Sequence, residues 1–174
     1  MACNLTAGIA LGCRDNTGGL LTMYITDFTN IASITSNTGS TITQISGSGT
    51  FYEFQLIRTS SQHTETVNAS LENGTVFYQG ETVTFFAKLD QAKRNILKTL
   101  AQSQQLAIVI EDNNGSSFLL GQTYGCYVTA GTSVTGLNLG DRGGYNITFG
   151  YLEPNPMNQL SGALSTVAAG ITVQ

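Results

Sequence analysis

The chain has 174 residues, room for one domain with a real core, and it is 41% hydrophobic but only 10% charged. The net charge of −4 argues against binding nucleic acid through a basic patch. No run is long and apolar enough to span a bilayer, and Met1-Ala-Cys-Asn-Leu5 lacks the features of a secretion signal. Thr, Ser, Asn and Gln fill the polar positions. A surface so poor in charge is weakly defended against association. Assembly is therefore the sharper reading, and a secreted or adhesive β-domain the plainer one.

Residues 1–19 are rich in Gly, Asn and Thr and read as an N-terminal arm. Leu20 to Thr26 is the first predicted strand. Residues 29–49 contain no charge and only Ile42 and Ile45 as anchors, so a long loop or weak hairpin is expected. Such a stretch buries too little in a lone subunit to offset its ordering entropy, so order is expected only on assembly. Thr50 to Arg58 is a strong strand, and the alternating Thr64 to Leu71 is expected to pair with it. Asn73-Gly74 turns the chain. Val76 to Tyr78 and Glu81 to Lys88 follow, with a bulge or bend expected at Gly80.

Residues 89–104 break the pattern: they lack Gly and Pro, and Asp90 is suited to cap a helix. Leu89, Ala92, Ile96, Leu97 and Leu100 fall on one predicted core face. Lys93, Arg94 and Lys98 fall largely on the other, as a solvated face or subunit contact. Leu106 to Ile110, the turn Glu111-Asp-Asn-Asn-Gly115 and Phe118 to Leu120 read as a hairpin. Tyr124 to Ala130, a Gly/Thr/Asn loop, Asp141-Arg-Gly-Gly144 and an alternating strand from Tyr145 to Tyr151 follow. The weakly apolar residues 160–174 suit a C-terminal packing arm. No repeat or linker divides the chain, so residues 1–174 form one predicted domain of mainly β class.

No candidate chemistry rises above background. His63, the only histidine, sits beside Ser60-Ser61-Gln62 and reads as an exposed turn residue. Glu111 and Asp112 lack the spaced acidic loop that calcium needs. Cys3, Cys13 and Cys126 form no CxxC, which disfavours structural zinc, although Cys3 and Cys13 could pair. The Gly-rich patches at 136–140 and 143–144 lack the lysine of a phosphate loop. No catalytic residue, cofactor or metal site is expected.

The order of elements resembles bacteriophage tail tube proteins, also called major tail proteins. The resemblance is carried by Ile108-Val-Ile-Glu-Asp-Asn-Asn-Gly115, Phe118-Leu-Leu-Gly121 and Gly140-Asp-Arg-Gly-Gly-Tyr-Asn-Ile-Thr-Phe-Gly-Tyr-Leu-Glu-Pro154. It covers the C-terminal half by motif and the N-terminal half by order of elements. It implies a β-sandwich or barrel-like domain with one flanking helix. It also implies a structural virion protein, assembled in the host cytoplasm, whose hexameric rings stack into the tail tube that conducts DNA. One sheet per subunit would join its neighbours in an inner barrel. The implied partners are further copies of the chain, the tail terminator, the tape measure and the baseplate. DNA would pass without sequence-specific binding, and no membrane is involved. A single-ring terminator or head–tail joining protein of the same fold is an alternative, and a carbohydrate-binding β-sandwich is another. The latter usually presents Trp platforms, and this chain has no Trp.

Alternation suggests which side chains would line such a lumen: Glu53 and Gln55, then Thr64, Thr66 and Asn68, then Thr82 and Thr84, then Asn146 and Thr148. Glu53 is the expected acidic contributor. A one-residue error in register would reverse each face.

Overall fold

The structure is a computed structural model and describes residues 7–174. It is mainly β. Strands β1 (Leu20–Asp27), β2 (Ile31–Ser36), β3 (Ile42–Gly47) and β4 (Thr50–Gln55) come first. Two long strands follow, β5 (Gln62–Ser70) and β6 (Thr75–Ala87), then helix α1 (Gln91–Gln102). Next come β7 (Leu106–Asp112), β8 (Ser117–Leu120), β9 (Tyr127–Val134) and β10 (Gly144–Glu153). The C-terminal region holds β11 (Asn158–Gln159), helix α2 (Leu164–Val167), β12 (Ala168–Ala169) and β13 (Thr172–Val173). They build a six-stranded sheet in the order β11-β8-β7-β1-β4-β13, a four-stranded sheet in the order β5-β6-β10-β9, and a three-stranded sheet in the order β12-β3-β2.

These sheets form layers around two cores. Successive residues of a strand point to opposite faces. From β7, Ile108 and Ile110 enter one core with Met23 and Ile25 of β1 and with Ile147, Phe149 and Tyr151 of the four-stranded sheet. Val109 points the other way, into a second core with Phe51, Leu119, Ile42 and Ile45. The six-stranded sheet is thus covered on both faces. That is why Leu106 to Ile110 is apolar throughout rather than alternating.

The second core corrects the reading of residues 29–49. They form the β2–β3 hairpin, and Ile42 and Ile45 are fully buried within one subunit. The missing apolar partner is the C-terminal arm. It folds back on its own chain, burying Leu160, Leu164, Val167 and Ile171 and pairing β12 with β3 and β13 with β4, both parallel. Order in this hairpin therefore does not wait for a neighbour, and the sequence reading missed α2.

Two pairings also differ from expectation. β5 pairs with β6, whereas β4 pairs with β1 and β13 in the other sheet. β5 turns tightly into β6 through Asn73-Gly74, while β4 takes β1 as its partner in the other sheet and leaves the second edge of β5 unpaired among the described residues. β6 runs through Gly80 without a bulge or shift of register. Gly80 is required there because any Cβ would run into the Tyr151 ring.

The Asp90 cap forms as expected, its carboxylate accepting the Ala92 N–H at 2.8 Å. The predicted core face of α1 is only partly right. Leu100 is buried and Leu97 half-buried, but Leu89, Ala92 and Ile96 are exposed. The helix lies on a narrow stripe through Lys93, Leu97, Leu100 and Ser103. Lys93, expected in solvent, is half-buried and donates from Nζ to the Ala87 carbonyl oxygen at 2.6 Å.

Candidate assembly surfaces

In an antiparallel pair, residues directly opposite share a face. Phe149 is buried and pairs with Thr82, which pairs with His63; Ile147 pairs with Thr84. These residues form the inner face of the four-stranded sheet. Thr82 and Thr84 are fully enclosed, and their hydroxyls are used inside. Thr82 Oγ1 meets His63 Nδ1 at 2.8 Å, and Thr84 Oγ1 donates to the Ile147 carbonyl oxygen at 3.1 Å. The lumen assignment for these two threonines is therefore reversed, as a one-residue register error would do.

The outer face is formed by the alternate residues. Gln62 lies opposite Val83, which lies opposite Thr148 and then Ala130. Thr64 lies opposite Glu81, followed by Gly150 and Tyr127. Thr66 faces Gln79, Asn68 faces Phe77, and Asn146 lies between Phe85 and Thr132. So Thr64, Thr66, Asn68, Asn146 and Thr148 do share one face. Glu81 is its acidic side chain, and Arg142 stacks over Phe85 at 4.5 Å at its rim.

Glu53 and Gln55 are elsewhere. Glu53 lies opposite Tyr24 on the six-stranded sheet, on the face that carries Phe51 and the second core. Burial raises the Tyr24 pKa, with Glu53 and then Glu111 adding to the effect. The four-stranded sheet packs against the other face of that sheet. Hence Glu53 and Gln55 cannot line one wall with the threonines. The sequence reading treated four strands as one sheet when they belong to two.

The edges of the four-stranded sheet are long. Among the described residues no strand pairs with the outer edge of β5 or of β9. β5 has nine residues, none of them buried, and β9 has eight. Because each strand in the order β5-β6-β10-β9 is antiparallel to the next, β5 and β9 run in opposite directions. Rotating a second copy beside the first would set its β5 antiparallel to β9.

Behind this sheet lies a polar cluster that the sequence reading missed. His63 is half-buried in β5, not in an exposed turn. The Tyr151 hydroxyl donates to Glu65 Oε1 at 2.8 Å, which also accepts the Met157 N–H at 2.9 Å. His63 Nε2 lies 3.3 Å from the same hydroxyl. A neutral His63 protonated on Nε2 satisfies the whole set, with Nδ1 accepting from Thr82. Burial lowers the His63 pKa, and Glu65 only partly opposes this. Burial likewise raises that of Tyr151, with Glu65 adding to it. Glu153 is buried too, and its Oε1 accepts the N–H groups of Thr123 at 2.9 Å and Tyr124 at 2.7 Å. The signal for both carboxylates was alternation: Glu153 continues the inward series Ile147, Phe149, Tyr151, and Glu65 the inward side of β5. A polar pocket of about 270 Å³ opens beside Tyr151 and Glu153, but His63 does not line it. Among the described residues no cluster of His, Cys, Asp or Glu could hold a metal ion.

Comparisons with protein-family models, curated proteins and solved structures return no match to this chain. Among the described residues no helix is long and apolar enough to cross a membrane. Cys13 is exposed and Cys126 buried, whereas Cys3 and any pairing it makes lie outside the described residues.

Proposed function

We propose that this protein is a structural subunit that assembles with copies of itself through the two edges of its four-stranded sheet. The resemblance to phage tail tube proteins gives the form: hexameric rings stacked into the virion tail tube that conducts DNA. The observation that carries the reading is the pair of long open edges, β5 and β9, running antiparallel to one another. Open edges are a hazard for a protein that stays alone, and closure into a barrel removes them. The outer face then becomes the inner wall. Its Thr64, Thr66, Asn146 and Thr148 hydrate the wall, and Glu81 replaces Glu53 as the acidic contributor. Phe77 and Tyr127 share that face, so the wall is mixed in polarity, but it carries few cations, which lets a polyanion slide.

Negative-stain microscopy of the purified protein across concentration tests this reading. Rings or tubes with a central channel are the expected result. Isolated rings that never stack would favour the terminator or joining role. Strict monomers at every concentration would defeat both.

A further inference from the structure

α1 half-closes the mouth of the first core beside β4 and leaves an open groove of about 730 Å³. Its floor and walls are Ile25, Phe54, Ile96, Leu97, Leu100 and Leu106. Asp27, Glu53 and Lys93 stand around its mouth. Ile96 is 50% exposed in it, on the helix face that the amphipathic pattern marks for burial. A groove of this size takes several side chains.

The same chain carries an apolar segment that the described residues leave uncovered. In Ala7-Gly-Ile-Ala-Leu-Gly-Cys-Arg14, Ile9 is 104% exposed and Leu11 is 102% exposed. In an extended backbone Ile9, Leu11 and Cys13 face one way. Arg14 faces the other, where the carboxylate of Asp27, on the groove's side of the sheet, offers it charge complementarity.

The arm cannot seat both residues in its own groove. It is pinned to the β7–β8 turn: Asn114 Oδ1 accepts the Thr17 N–H at 2.8 Å, and Asn114 Nδ2 donates to Asn16 Oδ1 at 2.7 Å. That turn lies beyond Asp112, which pairs with Leu20 at the start of β1. The groove lies at the far end of β1, where Asp27 pairs with Leu106. Five strand residues separate Leu20 from Ile25, about 17 Å, and the anchor lies farther out by roughly another 6 Å. Leu11 is five residues from Asn16 and reaches about 18 Å at most.

We infer that the groove between α1 and β4 receives the Ile9–Leu11 segment of a second copy of this chain. Arm and groove sit at opposite ends of β1, so between copies set in the same orientation, as in stacked rings, the contact is heterologous and extends into a series. It rests on the self-assembly reading and adds a link made by the arm and not by the edges of the four-stranded sheet.

Cys13, exposed on the arm, supplies the test. In the full chain carrying Cys3→Ala, Thr99→Cys places a thiol on the groove wall, and Lys98→Cys places one on the adjacent outer side of the helix. Cys126 is buried and does not compete. After mild oxidation, non-reducing gels of the Thr99→Cys protein should show a ladder of covalent multimers, at least about tenfold stronger than for Lys98→Cys, a gap of about 1.4 kcal/mol or more if read as an equilibrium ratio. Adding Ile9→Asp and Leu11→Asp should abolish it. Rings or tubes with no ladder, or with equal ladders at the two positions, would overturn the arm contact and leave edge assembly standing. A disulfide confined to the monomer band would overturn the second copy as occupant. A ladder without rings or tubes would support the arm contact and count against the tube. Monomers with no cross-link would defeat both.

Discussion

In the six-stranded sheet, β7 buries Leu106, Ala107, Ile108, Val109 and Ile110 in succession, while β5 of the four-stranded sheet buries none of its residues. The first sheet is covered on both faces, by the four-stranded sheet with α1 and by the β2–β3 hairpin with the C-terminal arm. The second is covered on one face, and among the described residues no strand pairs with either of its outer edges. Apart from the groove beside β4, the first half of the molecule is complete in a single chain. The other has exposed backbone donors and acceptors that a neighbour can pair. Stability should therefore reside in the first half and association in the second.

The largest effect should come from the doubly covered sheet. Phe51→Ala should destabilise the subunit by about 3–5 kcal/mol in denaturant unfolding, because Phe51 is fully enclosed between β4 and the C-terminal arm. Retained stability would mean that the arm does not close that core in solution. At the groove, Leu100→Ala should cost about 2–4 kcal/mol and Ile96→Ala within about 0.5 kcal/mol for the free subunit, since only Leu100 is buried. A large cost at Ile96 in the monomer would show that the groove closes without a partner.

The polar cluster behind the open sheet predicts a pH effect. The His63 pKa lies below its ordinary 6.5 in the folded chain because burial disfavours the cation. The unfolded chain then binds more protons between the two values. This part of the stability is fully present above about pH 6.5 and is lost as the pH falls towards the folded value. The melting temperature should drop from pH 7.5 to pH 5.5, and His63→Gln should flatten that slope. An unchanged slope would remove His63 as its source.

The smallest effect on folding should be on the outer face. Glu81→Lys should change subunit stability by no more than about 0.5 kcal/mol. In assembled tails it should slow DNA passage, most at low salt, where screening is weakest. Glu53→Lys, on the far side of the molecule, should leave passage unchanged. The reverse ranking would reinstate Glu53 as the lumen residue and move the wall to the other sheet.

What could be read in advance follows the same division. Strands β1, β7, β8 and β10, the Asp90 cap and the Asn-Gly turns were legible, because their signals are local. The partners of β4 and β5 were not, because alternation gives a face and says nothing of which sheet a strand joins. Thr82 and Thr84 were misplaced for a related reason: their hydroxyls find partners inside, at His63 and the Ile147 carbonyl, so polarity did not mark the outer side. Residues 29–49 looked unable to fold alone because Leu160, Leu164, Val167 and Ile171 lie more than a hundred residues later in the sequence. Likewise, the helical pattern marked Leu89, Ala92 and Ile96 as core. The subunit itself leaves them open.

The most direct test of edge assembly is amide hydrogen exchange on the free and the assembled protein. Assembly should slow exchange in both β5, residues 62–70, and β9, residues 127–134, by tenfold or more, while β1 and β7 stay equally protected in both states. Assembled particles whose β5 and β9 amides exchange as fast as those of the free subunit would contradict the account.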